Sequence, residues 1–148
     1  MLLTMNLIPQ LLGLSEREKC IWLAALFDGE GAYGIQQTYG KFVVNVKLCN
    51  TNQLLLDEII RQIGFGRLEK YRWSCDGKVL VSRFIDMIEP YLVGRRDETE
   101  LFRAVISTVA DMGKRPTLEQ LTLREKLMPR WYTRSEHAKV ANAHRLSA

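Results

Sequence analysis

Two carboxylates stand where a helix discourages them. In "WLAALFDGEGAYGI" (Trp22 to Ile35), Asp28 and Glu30 close a helical run, and a glycine follows each. The C-terminus of a helix carries partial negative charge, so a carboxylate there is disfavoured by roughly 0.3–1 kcal/mol. Two such residues imply that something else offsets the cost. The remaining chemistry-bearing residues form no rival set. His137 and His144 are the only histidines, both near the C-terminus and without a cysteine or acid at metal-ligand spacing. Cys20, Cys49 and Cys75 are odd in number and widely spaced, with no C-x-x-C pair. That argues against a disulfide framework or zinc site and for a reducing compartment, cytoplasm or organelle matrix. Cys20 and Cys49 lie in apolar periodic segments, as buried small hydrophobes do.

The elements that must position the two acids follow from capping and periodicity. In "SEREK", Ser15 is an N-cap and Glu18 completes a capping box, so a helix runs from there to about Asp28. Its middle, "CIWLAALF", is apolar on every face and must be covered on all sides. Ala24, Ala25 and Gly29 lack bulk, and with Ile21 they would let a second copy of the same helix come close. After Gly31 the period changes to two. "AYGIQQT" and "KFVVNVKLC", joined by a short "YGK" turn, read as a β-hairpin. Phe42, Val44, Val46 and Leu48 face one way; Lys41, Val43, Asn45 and Lys47 face the other. Gln36 and Thr38 oppose Tyr33, Ile35 and Gln37.

A helix capped by Asn50 or Thr51 then ends at glycines 64 and 66, and "RLEKYRWSC" is a second, very short hairpin. Three further helices follow in "DGKVLVSRFIDMIEPYL", "GRRDETELFRAVISTVADMG" and "RPTLEQLTLREKLM". The order αββαββα plus further helices is an α+β fold, an antiparallel sheet with helices on one face. Residues 15–128 form the expected domain, residues 1–14 an apolar lead, and residues 129–148 a basic, loosely ordered tail.

Composition is that of an ordinary globular chain: 148 residues, 47% hydrophobic and 26% charged. No apolar run reaches the roughly 18–20 residues that span a bilayer, and the N-terminal "MLLTMNLIPQLLGL" lacks the basic n-region and cleavage site of a signal peptide. The expectation is a soluble protein with no membrane partner. From Lys114 onward eight Lys/Arg face three acids, whereas the first 113 residues carry 13 basic and 14 acidic side chains. Arg115, Arg124 and Lys126 therefore read either as phosphate contacts or as plain surface.

"LAALFDGEG" (Leu23 to Gly31) resembles the nine-residue signature of the LAGLIDADG homing endonucleases, and "PYLVGRR" (Pro90 to Arg96) resembles the family's "PYL-x-G-K/R" segment. The resemblance covers roughly residues 15 to 128. It departs at Ala25, where the family prefers Gly, and at Glu30, where the name motif has Asp. The resemblance implies the family's αββαββα fold with a saddle-shaped sheet. It assigns Glu30 to the divalent metal at the scissile phosphate and Gly29 to an assisting carbonyl. Asp28 takes the first acid's place, which more often shapes the helix end. Arg95 falls where the family keeps a basic residue near the active-site water and phosphate, with Arg96 as the fallback.

Magnesium, or another divalent cation such as Mn2+, takes hard oxygen ligands and usually keeps substrate phosphates and waters. One Glu30 is too few for such a site, and two from paired helices suffice. The implied enzyme is a site-specific endodeoxyribonuclease of intron homing. It acts on double-stranded DNA as a homodimer, and Ile21, Ala24, Ala25, Asp28 and Gly29 form the interface between its two copies. Target reading falls to Gln36, Thr38, Lys41, Asn45 and Lys47, with Arg67, Glu69 and Tyr71 from the second hairpin, because a β-ribbon fits the major groove. The alternatives are an RNA maturase that binds its host intron, and a DNA-binding regulator that no longer cuts.

Overall fold

Ser15 and Glu18 open the first helix with a reciprocal cap. In a computed structural model of the chain, which describes residues 13–147 and side chains as far as Arg134, Ser15 Oγ accepts from the Glu18 N–H at 3.2 Å and Glu18 Oε1 from the Ser15 N–H at 3.1 Å. Of the expected N-terminal lead, residues 1–12 lie outside the described residues. Helix α1 (Glu16–Glu30) passes Asp28 and ends on Glu30, and strand β1 (Gly31–Thr38) begins at the next residue. No turn intervenes, and neither Gly29 nor Gly31 takes a positive φ. Gly31 is there for space, since a Cβ on it would fall 2.0 Å from the Phe27 ring.

Tyr39 and Gly40, with φ of 50° and 75°, turn the chain into strand β2 (Lys41–Cys49). Helix α2 (Gln53–Ile63) is capped by Asn52 rather than by Asn50 or Thr51; its Oδ1 accepts from the N–H groups of Leu54 and Leu55. Strands β3 (Arg67–Glu69) and β4 (Arg72–Asp76) make the short second hairpin, and helix α3 (Lys78–Ile88) leads into a 3₁₀ turn over Glu89–Tyr91. The sheet is antiparallel throughout, in the order β1-β2-β4-β3.

Helices α1, α2 and α3 pack on the strands. Val44, Val46 and Leu48 from β2 and Trp73 and Cys75 from β4 are buried with Leu23, Phe27, Phe84 and Ile85. Phe27 stacks on Tyr33 at 4.7 Å and on Phe84 at 5.8 Å, and Phe84 meets Trp73 at 5.1 Å. These tilted and edge contacts suit the ring quadrupole and tie α1, the sheet and α3 together. The Trp73 indole donates to the Phe65 carbonyl at 3.0 Å, so its one polar atom is satisfied.

Glu58 of α2 is buried, with Arg61 donating to it through Nε at 3.0 Å. Burial works to raise its carboxyl, but hydrogen bonds from Arg61 and Gln62 and the charges of Arg61 and Lys19 carry it below the ordinary 4.5. A depressed carboxylate contributes stability above its unfolded pKa and loses it as pH falls through the folded value. Glu58→Gln therefore lowers the melting temperature at neutral pH. The gap to wild type closes below about pH 4.5 in a pH series of thermal melts.

The described chain divides into two compact units between Arg96 and Asp97. The second is built from helix α4 (Arg96–Ser107) and helix α5 (Leu118–Ser147). Phe102 stacks on Trp131 at 5.1 Å, and Arg124 Nη2 donates to the Thr108 carbonyl at 2.8 Å. Arg124 thus satisfies backbone at the end of α4, and burial lowers its pKa. Helix α5 runs through Pro129, where a loosely ordered tail is expected to start. The side chains of His137 and His144 lie outside those described.

Among the described residues no helix is long and apolar enough to cross a membrane. Cys75 is buried, which pushes its thiol up to about 12, and Cys20 is half-buried. Cys49 is exposed, contrary to expectation, because it alternates with buried Leu48 and so lies on the opposite face of β2.

Candidate metal centre and nucleic-acid interface

The cost of placing Asp28 near a helix C-terminus is offset by a loop 65 residues downstream. Asp28 Oδ2 accepts from the Val93 N–H at 2.9 Å, and Oδ1 accepts from the N–H groups of Gly94 and Arg95, each at 3.1 Å. Three backbone donors converge on one carboxylate, as at a charged N-cap. Arg95 closes the arrangement: its Nε donates to the Asp28 carbonyl at 3.3 Å and its guanidinium lies 5.3 Å from the centre of the Phe27 ring. Arg96 instead turns back to the Leu92 carbonyl. Of the two candidate basic residues, Arg95 is the one held against the acidic helix end.

Glu30 differs from Asp28. It is the last residue of α1, it is exposed, and no described residue pairs with it. Among the described residues no three His, Cys, Asp or Glu side chains cluster to hold a metal. The donors available at this end of α1 are the Glu30 carboxylate and the Gly29 carbonyl, both hard oxygens of the kind Mg2+ and Mn2+ accept. The Asp28 carboxylate oxygens are already committed to backbone donors.

One stripe of α1 is uncovered. Leu23, Ala24 and Phe27 are buried, whereas Ile21, Ala25 and Gly29, four residues apart, are exposed. The middle of the helix is apolar on every face, yet the described residues leave this stripe exposed and Trp22 and Leu26 only half-buried. Ala24 is fully buried within the chain, unlike its neighbour Ala25. A Cβ built on Gly29 meets nothing within 4 Å, so nothing among the described residues requires a glycine there.

The strand register sorts the expected DNA-reading residues. Thr38 pairs with Lys41, Gln36 with Val43, Gly34 with Asn45 and Ala32 with Lys47. Asn45 pairs with Asp76, Lys47 with Ser74, Arg67 with Ser74 and Glu69 with Arg72. Directly paired residues share a face, so Gln36, Thr38, Lys41, Asn45, Lys47, Arg67 and Glu69 all lie on the sheet face opposite buried Val44, Val46 and Trp73. A Cβ on Gly34 would fall 2.4 Å from Asn45 Oδ1, so that glycine makes room for the asparagine amide. Tyr71 lies in the β3–β4 turn rather than on the face, with φ of 64°.

Arg72 and Asp76 belong to the same face and escaped the sequence reading. Asp76 Oδ2 lies 2.7 Å from Arg67 Nη1, and Glu69 bridges to Arg72. The hydrogen bond and charge of Asp76 raise the Arg67 pKa. Alternation outward from Trp73 was the signal that could have found both.

No family sequence profile and no curated protein matches the chain. Solved structures do. The homing endonuclease I-CvuI, in complex with its target in the presence of calcium, superposes with a TM-score of 0.59 at 18% identity, over 76% of this chain and 96% of that one. The archaeal intron-encoded homing endonuclease I-Vdi141I, complexed with DNA, gives 0.62 at 16% identity, over 78% and 85%. The LAGLIDADG meganuclease I-AabMI, bound to uncleaved DNA, gives 0.54 at 20% identity, over 60% and 36%. The helix that ends in Asp28 and Glu30, the four-stranded sheet it feeds and the loop that closes on Asp28 are arranged in the fold of the LAGLIDADG homing endonucleases.

Proposed function

We propose that this protein is a sequence-specific, divalent-cation-dependent DNA endonuclease that acts as a symmetric homodimer. The observation that carries this reading is the division of labour between the two acids. Asp28 is consumed by three backbone donors, and Glu30, two residues on, is left exposed beside an uncovered small-residue stripe. The pairing of α1 with α1 from a second copy accounts for Ile21, Ala25 and Gly29 together. It also brings two Glu30 carboxylates to one place, where like charges repel unless a cation lies between them.

Glu30 and the Gly29 carbonyl of each copy are the groups that would hold Mg2+ or Mn2+. A cation bound there neutralises phosphate charge and acidifies water. Asp28 positions the Val93–Arg95 loop, and through it the Arg95 guanidinium, which supplies fixed positive charge toward a phosphate. The open sheet face supports the reading of a DNA groove: Gln36 and Asn45 suit adenine, Lys41, Lys47 and Arg67 suit guanine, and Glu69 suits cytosine.

The dimer is tested by placing a charge in the stripe. Ala25→Glu puts an unpaired carboxylate at the helix contact and weakens self-association by at least about a hundredfold. Sedimentation then finds a folded monomer, with the wild-type circular dichroism spectrum, and double-strand cutting is lost. An Ala25→Glu protein that still sediments as a dimer contradicts the pairing of α1 helices.

A further inference from the structure

Charge is divided unevenly between the two halves of the open sheet face. On β1 and β2, Lys41 and Lys47 have no carboxylate partner among the described residues. On β3 and β4, by contrast, Asp76, Arg67, Glu69 and Arg72 form a row of alternating charge. Asp76 Oδ2 lies 2.7 Å from Arg67 Nη1, Glu69 Oε1 lies 4.0 Å from Arg67 Nε, and Glu69 bridges on to Arg72. The Arg67 guanidinium is therefore held at both ends, and among the described residues no ion pair reaches its Nη2. Stability does not account for this clamp: Arg67 and Asp76 are 58% and 38% exposed, and ion pairs that open to water contribute little. Attraction for a polyanion does not account for it either, because the row sums to zero charge. What the clamp fixes is the direction of a planar donor fork, on which recognition of a base edge depends.

We propose that Asp76 is a positioning residue that sets sequence specificity without itself pairing with a base. It aims the Arg67 fork at one base pair and cancels the attraction of that arginine for phosphate. Where the base edge offers two acceptors, as guanine does, Arg67 gains both and keeps Asp76. Where it does not, the clamp holds Arg67 back from the nearest phosphate, and the Asp76 carboxylate repels any phosphate or acceptor edge brought against it. The β3–β4 half of the face then discriminates between sequences, while the unpaired Lys41 and Lys47 also attract any sequence. This inference rests on the open sheet face being the DNA interface.

The test removes the charge of Asp76 and keeps its shape. Asp76→Asn, Arg67→Ala and wild type are compared in thermal melts, in salt series of binding to a fluorescent random-sequence duplex, and in selection of bound sequences from a randomised duplex pool. The proposal expects Asp76→Asn to melt within about 4 °C of wild type. It expects the variant to bind the random-sequence duplex about tenfold more tightly at low salt, with the slope of log affinity against log salt steeper by about 0.9 per chain. The base preference that Arg67→Ala erases from the selected sequences is erased by Asp76→Asn as well. A wild-type salt slope, weaker binding or a retained base preference overturns the proposal. So does a larger fall in melting temperature, which would make Asp76 a structural residue. If wild type selects no sequence, the reading of the sheet as a specific interface fails and this inference with it. If Arg67→Ala selects the wild-type sequence, Arg67 is no base contact and Asp76 has nothing to position. If Arg67→Ala erases a preference and Asp76→Asn does not, the interface stands and only the role of Asp76 falls.

Discussion

Glu30→Gln abolishes cleavage while DNA binding persists. The substitution keeps the size of the side chain and removes the charge that holds a divalent cation, so it removes a Lewis acid worth several kcal/mol of transition-state stabilisation. At about 1.4 kcal/mol per factor of ten, the loss is on the order of a thousandfold or more. Glu30 is exposed and no described residue pairs with it, so the fold does not depend on it. The melting temperature of Glu30→Gln is therefore that of wild type, and gel shifts of a target duplex are unchanged or tighter. The check is linearisation of a target-bearing plasmid with Mg2+, where undiminished cutting by the variant removes Glu30 from the site.

Asp28→Ala differs from it in stability. It strips one acceptor from three backbone N–H groups at 2.9–3.1 Å and frees the loop that holds Arg95. Hydrogen bonds to a charged acceptor contribute about 1.5–3 kcal/mol each, and water replaces part of this where the loop is exposed. A net loss of about 2–4 kcal/mol is expected, which lowers the melting temperature of a domain this size by about 5–15 °C. Cleavage falls as well, because Arg95 loses its position. Asp28→Asn retains an acceptor and falls between wild type and alanine in both measurements. A pair in which Asp28→Ala lowers both melting temperature and cleavage, whereas Glu30→Gln lowers cleavage alone, is the result that supports their separate roles. Equal melting temperatures for Asp28→Ala and wild type contradict the positioning role.

The local features of the site were legible in the sequence. A Ser15–Glu18 capping box depends on residues three apart, and the structure forms both of its hydrogen bonds. The face shared by Gln36, Thr38, Lys41, Asn45 and Lys47 follows from a period of two, and the register places them together. What needed the structure was non-local. The partners of Asp28 lie 65 to 67 residues away in sequence, and no periodicity links them. A helix apolar on every face does not say which face the chain itself covers, so buried Ala24 and exposed Ala25 were indistinguishable. Pro129 lacks an N–H and ordinarily ends a helix, yet α5 continues through it, and Thr133 Oγ1 donates to the Pro129 carbonyl at 2.8 Å. The ion pair of Arg67 with Asp76 joins strands whose hairpin is too short to show its register in sequence alone.

The central claim is that one centre is built from two chains, each contributing one Glu30. It is tested most directly with differently tagged wild-type and Glu30→Gln chains, co-expressed and purified as the mixed dimer, on a plasmid carrying a site selected by the wild-type protein. The account predicts linear product from the wild-type dimer and none from the Glu30→Gln dimer. It predicts that double-strand cutting by the mixed dimer is also lost, because neither carboxylate suffices alone. A mixed dimer that linearises the plasmid at half the wild-type rate or faster contradicts it, since each chain would then carry a complete site.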